Sequence, residues 1–229
     1  MSNDQYVITP NPEQPEKKKK RLGGILIIIL SVLLIGGGIT VGVMQFMRPA
    51  SQAGALVDID GNVVVPDDPS ATSPAFMEQA QMVVDDGGNG FVVPSLNVDV
   101  PIGSINEVNG VMNPPNFTSV FWIRNRGVSI DNAAQGTVYM VAHAVYGGKA
   151  PGNLLQQNQQ VSLNPGDIIK VNDKVYKYVE TQIIPKTEIG DHDDLWTDDP
   201  GRLILVTCQV RAEGGIAVNN MVIIAQLQS

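Results

Sequence analysis

The chain predicts an all-β domain, a barrel or sandwich of about eight strands, set behind one membrane-spanning helix. Three observations predict it. Residues 22–47 run without a charge. From Phe91 onward, short apolar runs alternate with turn residues. Helical periodicity is weak throughout that second part. The 229 residues suffice for one ordinary domain with extras. With 43% hydrophobic and 17% charged residues the chain is too apolar to be disordered. A net charge of −8 excludes a nucleic-acid binder that relies on overall basicity. The single cysteine excludes an internal disulfide and any multi-cysteine zinc or iron–sulfur site, and two histidines leave little for a histidine-rich metal centre.

In chain order, residues 1–21 read as a cytoplasmic tail ending in five cations, Lys17 to Lys20 and Arg21. Leu22 to Met47 is the membrane helix; its 26 residues reach roughly 39 Å as a helix, more than the ~30 Å hydrocarbon core. Only Arg48 follows it closely, so the charge asymmetry places the N-terminus inside and the rest outside. A cleaved signal peptide is the rival, but its apolar region is normally shorter and Met44-Gln45-Phe46-Met47 is a poor cleavage site. Gly36-Gly37-Gly38 and Gly42 would let another helix approach, or are tolerated small residues. Five of the 15 Lys+Arg and three of the 23 Asp+Glu precede residue 48. The exterior portion therefore carries 10 against 20 and is strongly acidic. An acidic, disulfide-free exterior domain suits a Gram-positive surface protein.

Residues 48–88 read as an extracellular linker. Pro66-Asp67-Asp68-Pro69-Ser70 and Asp85-Asp86-Gly87-Gly88 carry turn and linker chemistry. Within it, Ala55–Val65 predicts a small hairpin around Asp60-Gly61, and Pro74–Val84 a short helix. The domain proper is expected over 89–229. Its strands are expected at Phe91–Val93, Asn97–Ile102, Val120–Ile123, Thr137–Ala142, Asp167–Val171, Lys174–Ile184, Leu203–Thr207 and Val218–Leu227. Asn113-Pro114-Pro115-Asn116, Asn164-Pro165-Gly166 and Asp199-Pro200-Gly201 break them. Asn172-Asp173 closes a hairpin between Val171 and Lys174, and Asn153–Gln160 has room for one helical turn.

Two residues stand out chemically. Cys208 ends Leu203-Ile204-Leu205-Val206-Thr207, a run without alternation that suggests a strand buried on both faces. His143 ends a similar run, Val138-Tyr139-Met140-Val141-Ala142. Each alone is most simply a core thiol or a hydrogen-bonded rim histidine. As a pair they are more informative. If the two strands lie close, sulfur and imidazole share one rim, which nucleophilic acyl transfer requires. A free thiol is only slightly ionised at neutral pH, so a nearby cation is also required.

At this point the chain resembles the sortases, cysteine transpeptidases of Gram-positive cell surfaces. Leu205-Val206-Thr207-Cys208 resembles the L-x-T-C strand end of that family, and Tyr139-Met140-Val141-Ala142-His143 its V-x-x-G-H strand, with alanine for glycine. Val93-Pro94-Ser95-Leu96-Asn97-Val98-Asp99-Val100-Pro101-Ile102 resembles its first paired strands. Leu163-Asn164-Pro165-Gly166-Asp167-Ile168-Ile169 resembles its L-x-x-G-D-x-I. The look is nearest to the actinobacterial class E and class F sortases, and covers about residues 90–227. The resemblance implies a closed eight-stranded β-barrel that cleaves an L-P-x-T-G-like sorting signal. Cys208 would be the nucleophile and His143 the general acid and base. The acyl group would pass to an amine of a peptidoglycan precursor or a pilin. The implied partners are surface proteins with C-terminal sorting signals, and the implied cofactors are none.

The family's arginine on the last strand has no counterpart, because Asn220 stands near its place. Arg211, three residues past Cys208, is expected to take the role in preference to Arg202, which lies roughly 20 Å back along an extended strand; the alternative is that Asn220 and backbone N–H groups hold the oxyanion. The acidic loop Asp191-His192-Asp193-Asp194 and Asp198-Asp199 would offer oxygen ligands to calcium but lacks an EF-hand spacing, and reads first as a solvated loop. His192 is the alternative histidine. Asn116-Phe117-Thr118 fits a glycosylation sequon that a bacterial setting leaves without meaning. Two other functions compete: a non-catalytic surface β-domain, and a hydrolase that passes the acyl group to water.

Overall fold

The computed structural model describes residues 56–66 and 83–228. The expected tail, the membrane helix over 22–47 and most of the linker lie outside them. Eight strands close a barrel: β1 (Val83–Val93), β2 (Val98–Ile105), β3 (Val120–Gly127), β4 (Val138–Ala142), β7 (Ile168–Val171), β8 (Lys174–Pro185), β9 (Arg202–Cys208) and β10 (Asn219–Leu227). The order around it is β1-β2-β3-β4-β9-β10-β8-β7. A minor pair, β5 (Gln156–Gln157) and β6 (Gln160–Val161), stands apart. All eight expected strands are present, most of them longer than expected. Two pairings are parallel, β2 with β3 and β4 with β9.

Alternation along the strands sorts the apolar residues into two layers. Val138, Met140, Ala142, Leu203, Leu205, Met221 and Ile223 belong to the barrel-interior cluster. Their neighbours Tyr139, Val141, Ile204, Val206 and Val222 form a second cluster on the outer face, joined by Ile184 and Leu195. That outer layer explains why the β4 and β9 runs show no alternation in sequence: both faces are covered. The cover includes the β8–β9 connection, whose short helix α2 (Asp193–Trp196) contributes Leu195. Arg202 Nη1 donates to the Asp194 carbonyl at 2.9 Å and Tyr139 Oη to the Leu195 carbonyl at 2.9 Å, fastening this helix to the outer face.

Three expectations need correction. Asp85-Asp86-Gly87-Gly88 is not linker but part of β1, where the register against β2 shifts between Asp85 and Gly90. A Gly-rich stretch is compatible with a bulge as well as with a linker, and the pairing that flanks it, Val84 with Gly103 and Asp85 with Ile102 before, Gly90 with Pro101 after, decides it. Val83 and Val84, expected at the end of a helix, are strand residues for the same reason; the rest of that helix lies outside the described residues. The segment 56–66, expected as free linker, docks on the barrel. Its hairpin is as read, with Val57 bridged to Val63 and Gly61 at φ +81° in the turn. Val64 packs with Phe117, Val145 and Ala150.

Candidate active site

The site is built on the one parallel pairing that involves β9. Ala142 is registered with Thr207, so the next residues, His143 and Cys208, stand at neighbouring strand ends. Cys208 shares the parity of Ile204 and Val206, and His143 that of Tyr139 and Val141. Both belong to the outer face of the sheet, above the second apolar layer, and not to the barrel interior. Cys208 is a free, partly exposed thiol. The sequence expectation that these two strands lie close is met by the fold.

His143 is held from several directions. Its Nε2 lies 2.7 Å from the Pro114 carbonyl. A carbonyl only accepts, so in the neutral ring Nε2 carries the proton and Nδ1 keeps the lone pair. The Phe117 ring stacks on the imidazole with centroids 4.3 Å apart and an 18° interplanar angle. Desolvation lowers the His143 pKa from 6.5 to about 4, against the bond to Pro114, and the nearby Lys186 charge adds to the lowering. The ring is therefore neutral at neutral pH. Its carbonyl accepts from Gly152 N at 2.8 Å.

Helix α1 (Pro151–Leu154) ties the two strand ends together. Gly152 sits so close that a Cβ there would lie 2.0 Å from Thr207 Oγ1 and 2.7 Å from the His143 carbonyl. Just past the helix, the Gln156 carboxamide donates to the Cys208 carbonyl at 2.9 Å and accepts from Val210 N at 2.9 Å. Gln209 N donates to the Asn219 carbonyl at 3.1 Å. The two backbone N–H groups that follow Cys208 are thus already satisfied, and any oxyanion donor has to come from elsewhere.

Three side chains are candidates for it. Asn220 is registered directly opposite Cys208, which puts their Cβ atoms about 5 Å apart on the same face. Arg211 follows in the next loop, where its guanidinium pairs with Glu213 and holds that carboxyl below its usual range. Lys186 was missed in the sequence. It follows Pro185 at the end of β8, and its backbone N–H donates to the Val218 carbonyl at 2.9 Å on the β10 side. Its charge lies near enough to the His143 ring to oppose the ring's protonation, and no motif in the chain marks it out. Arg202 is committed at the far end of β9 to Thr137 and to the carbonyls of Asp194, Leu195 and Thr197.

No family model and no curated protein matches the chain. Among solved structures, it is similar to sortase C-1 of Streptococcus pneumoniae at 16% identity, covering 73% of this chain and 82% of that one, with a TM-score of 0.48. It is similar to a lid mutant of sortase A from Corynebacterium diphtheriae at 12% identity, covering 72% and 84%, with a TM-score of 0.46. For sortase A of Listeria monocytogenes the values are 16%, 62% and 86%, and 0.45.

The remaining sequence candidates fall into structural roles. His192 occupies the N-terminal flank of α2 without a side-chain capping bond, and its ring lies 3.7 Å from the Asp194 carboxylate; the Asp194 carbonyl is bound by Arg202, six residues before Cys208. Asp198 accepts from Thr137 N. Among the described residues no group of three His, Cys, Asp or Glu converges on a metal-sized site. Asn116 of the sequon accepts from Thr118 N and Ser119 N, both at 3.0 Å, and shapes the turn that presents Phe117.

Proposed function

We propose that the chain is a membrane-anchored cysteine transpeptidase of the sortase kind, with its barrel outside the cell. The observation that carries this reading is the β4–β9 register, which sets His143 beside Cys208 on one partly buried rim. The finer assignment to class E or class F rests on the chain's own motifs. The L-P-x-T-G-like signal and the amine of a peptidoglycan precursor or pilin as acceptor are what the resemblance of those motifs to the sortases implies.

In this reading the neutral imidazole takes the Sγ proton on Nδ1 as sulfur attacks the threonine carbonyl carbon of the signal. The negative charge that develops on the carbonyl oxygen is met by the Asn220 carboxamide, opposite the sulfur. Arg211 joins it by exchanging Glu213 for the oxyanion. His143 then returns the proton to the leaving amine as the C–N bond breaks, which leaves a thioester on Cys208. The acceptor amine attacks that thioester and gives its proton to His143, which passes it to the departing sulfur as the C–S bond breaks, so the new amide forms and the Cys208 thiol is restored. No other group has to be oxidised or reduced.

The test is cleavage of a sorting-signal peptide by the full chain, with products resolved with and without an amine acceptor. An acceptor-dependent amide product supports transfer, and hydrolysis alone with acceptor present identifies a hydrolase. Folded protein that neither cleaves any such peptide nor reacts with an iodoacetamide-type probe at Cys208 refutes the enzyme reading.

A further inference from the structure

We propose that the hairpin 56–66 is a brace for the histidine of this site: docked through Asp58, it holds Phe117 flat against the His143 imidazole. Asp58 and Phe117 are thereby positioning residues. The inference rests on the transpeptidase reading only for what the histidine does, not for how it is held.

Asp58 is an acidic residue only 2% exposed. Its Oδ1 accepts from Asp60 N at 3.0 Å and Asn62 N at 2.8 Å, which closes the hairpin turn. Its Oδ2 accepts from Lys149 N at 3.0 Å, and Lys149 lies in the loop that follows His143. Burial opposes ionisation of this carboxyl, but the bonds from Asn62, Lys149 and Asp60 outweigh it and keep the group ionised. One carboxylate thus serves both the turn and the docking. The backbone contact continues with Ile59 N donating to the Lys149 carbonyl at 3.0 Å, and with a parallel bridge from Asp58 to Phe117. Phe117 is buried between Val64 of the hairpin, Val145, Ala150 and the imidazole.

The Asp58 Oδ2 also accepts from Asn62 Nδ2 within the turn at 3.4 Å, and the docking bond from Lys149 N, at 3.0 Å, is the shorter of the two at that oxygen. The hairpin's isolated β-bridge to the body of the protein falls at Phe117, the residue that stacks on His143. The charged groups around the ring are Lys186 just past β8, and Asp58 with Lys149 behind Phe117; the Cys208 thiol stands at the neighbouring strand end. Of these, Lys186 opposes protonation of the ring, and removing the brace leaves it in place. Loosening the brace acts through solvent access: water reaches the imidazole and its pKa climbs from about 4 toward 6.5.

The experiment is an NMR titration of the His143 ring in full-length protein carrying His192→Gln, so that one histidine signal remains. It is run on Asp58→Ala, on Phe117→Leu and on the control Val65→Glu at an 81% exposed hairpin position. We expect the ring to titrate at least one pH unit higher in Asp58→Ala and Phe117→Leu than in the parent, with turnover falling at unchanged KM, and no shift in Val65→Glu. Far-UV circular dichroism checks the barrel, and Phe117→Leu tests the stack directly even if Asp58→Ala does not fold. A ring that titrates alike in the parent and in folded Phe117→Leu overturns the brace, whatever the turnover. A shifted ring in a protein that cleaves no sorting peptide supports the brace and counts against the transpeptidase reading alone.

Discussion

At the scale of single residues, the proposed chemistry rests on a thiol and an imidazole that different parts of the chain deliver to adjacent strand ends. Cys208→Ala removes one rim sulfur and should abolish peptide cleavage with the barrel intact; His143→Ala should be nearly as severe. Peptide cleavage and thermal melts on the same samples check this, and a folded Cys208→Ala that still cleaves sinks it. The oxyanion donor is decided by Asn220→Ala and Arg211→Ala. Losing one such donor costs about 100- to 1000-fold in turnover. Asn220→Ala should fall in that range, because the carboxamide faces Cys208 and the N–H groups of Gln209 and Val210 are already committed. Arg211→Ala should cost less, since its charge is balanced by Glu213. A larger loss for Arg211→Ala, with a gain for Glu213→Gln, would give the role back to arginine. The histidine also leaves a mark on stability. Its folded pKa of about 4 lies below the 6.5 of the unfolded chain, so above 6.5 both states are neutral and folding is at its strongest. As pH falls from 6.5 to 4 the unfolded chain takes the proton first and stability declines. Urea midpoints should therefore drop over that window in the parent and drop less in His143→Gln.

At the scale of elements, α1 and Gln156, two residues past its C-terminus, tie the two strand ends together. Gly152 allows α1 to touch Thr207 and the His143 carbonyl at once, a proximity that any Cβ would destroy. Gly152→Ala should therefore cost about 1–3 kcal/mol by overpacking and reduce turnover through displacement of both strand ends. Gln156 does the complementary work with polar atoms. Gln156→Leu strands the Cys208 carbonyl and Val210 N without a partner, a change worth about 1–3 kcal/mol per unsatisfied group if water cannot reach them. Chemical denaturation measures both variants, and parent-like stability in Gly152→Ala would show that the helix can shift without penalty. Neither residue carries a motif. Gly152 looks like any loop glycine, and Gln156 like one of several glutamines in Gln156-Gln157-Asn158-Gln159-Gln160.

At the scale of the whole molecule, the prediction concerns orientation. Five cations lie immediately before Leu22 and only Arg48 closely follows Met47, so the N-terminus should stay in the cytoplasm. Protease added to intact protoplasts should remove the barrel and spare an N-terminal tag. Loss of the tag with protection of the barrel would reverse the topology and with it any access to cell-wall substrates.

The eight barrel strands were legible in the chain because each is a short apolar run bounded by residues that favour turns, and both signals are local. The pairing of Cys208 with His143 was legible only as a condition, since 65 positions separate them and nothing local states which strands become neighbours. The parallel register of β4 with β9 meets that condition and also selects the outer face, because parity with Val141 and Val206 counts only once the second apolar layer is known. The same limit explains Lys186, Gly152 and Asp58. Their residue types are ordinary for a rim, a loop and a linker, and their significance comes from what the closed barrel and the docked hairpin bring against them. Local sequence determined the strands, the turns and the two reactive groups. Long-range packing decided which side chains surround those groups, because such contacts depend on chain closure over many residues.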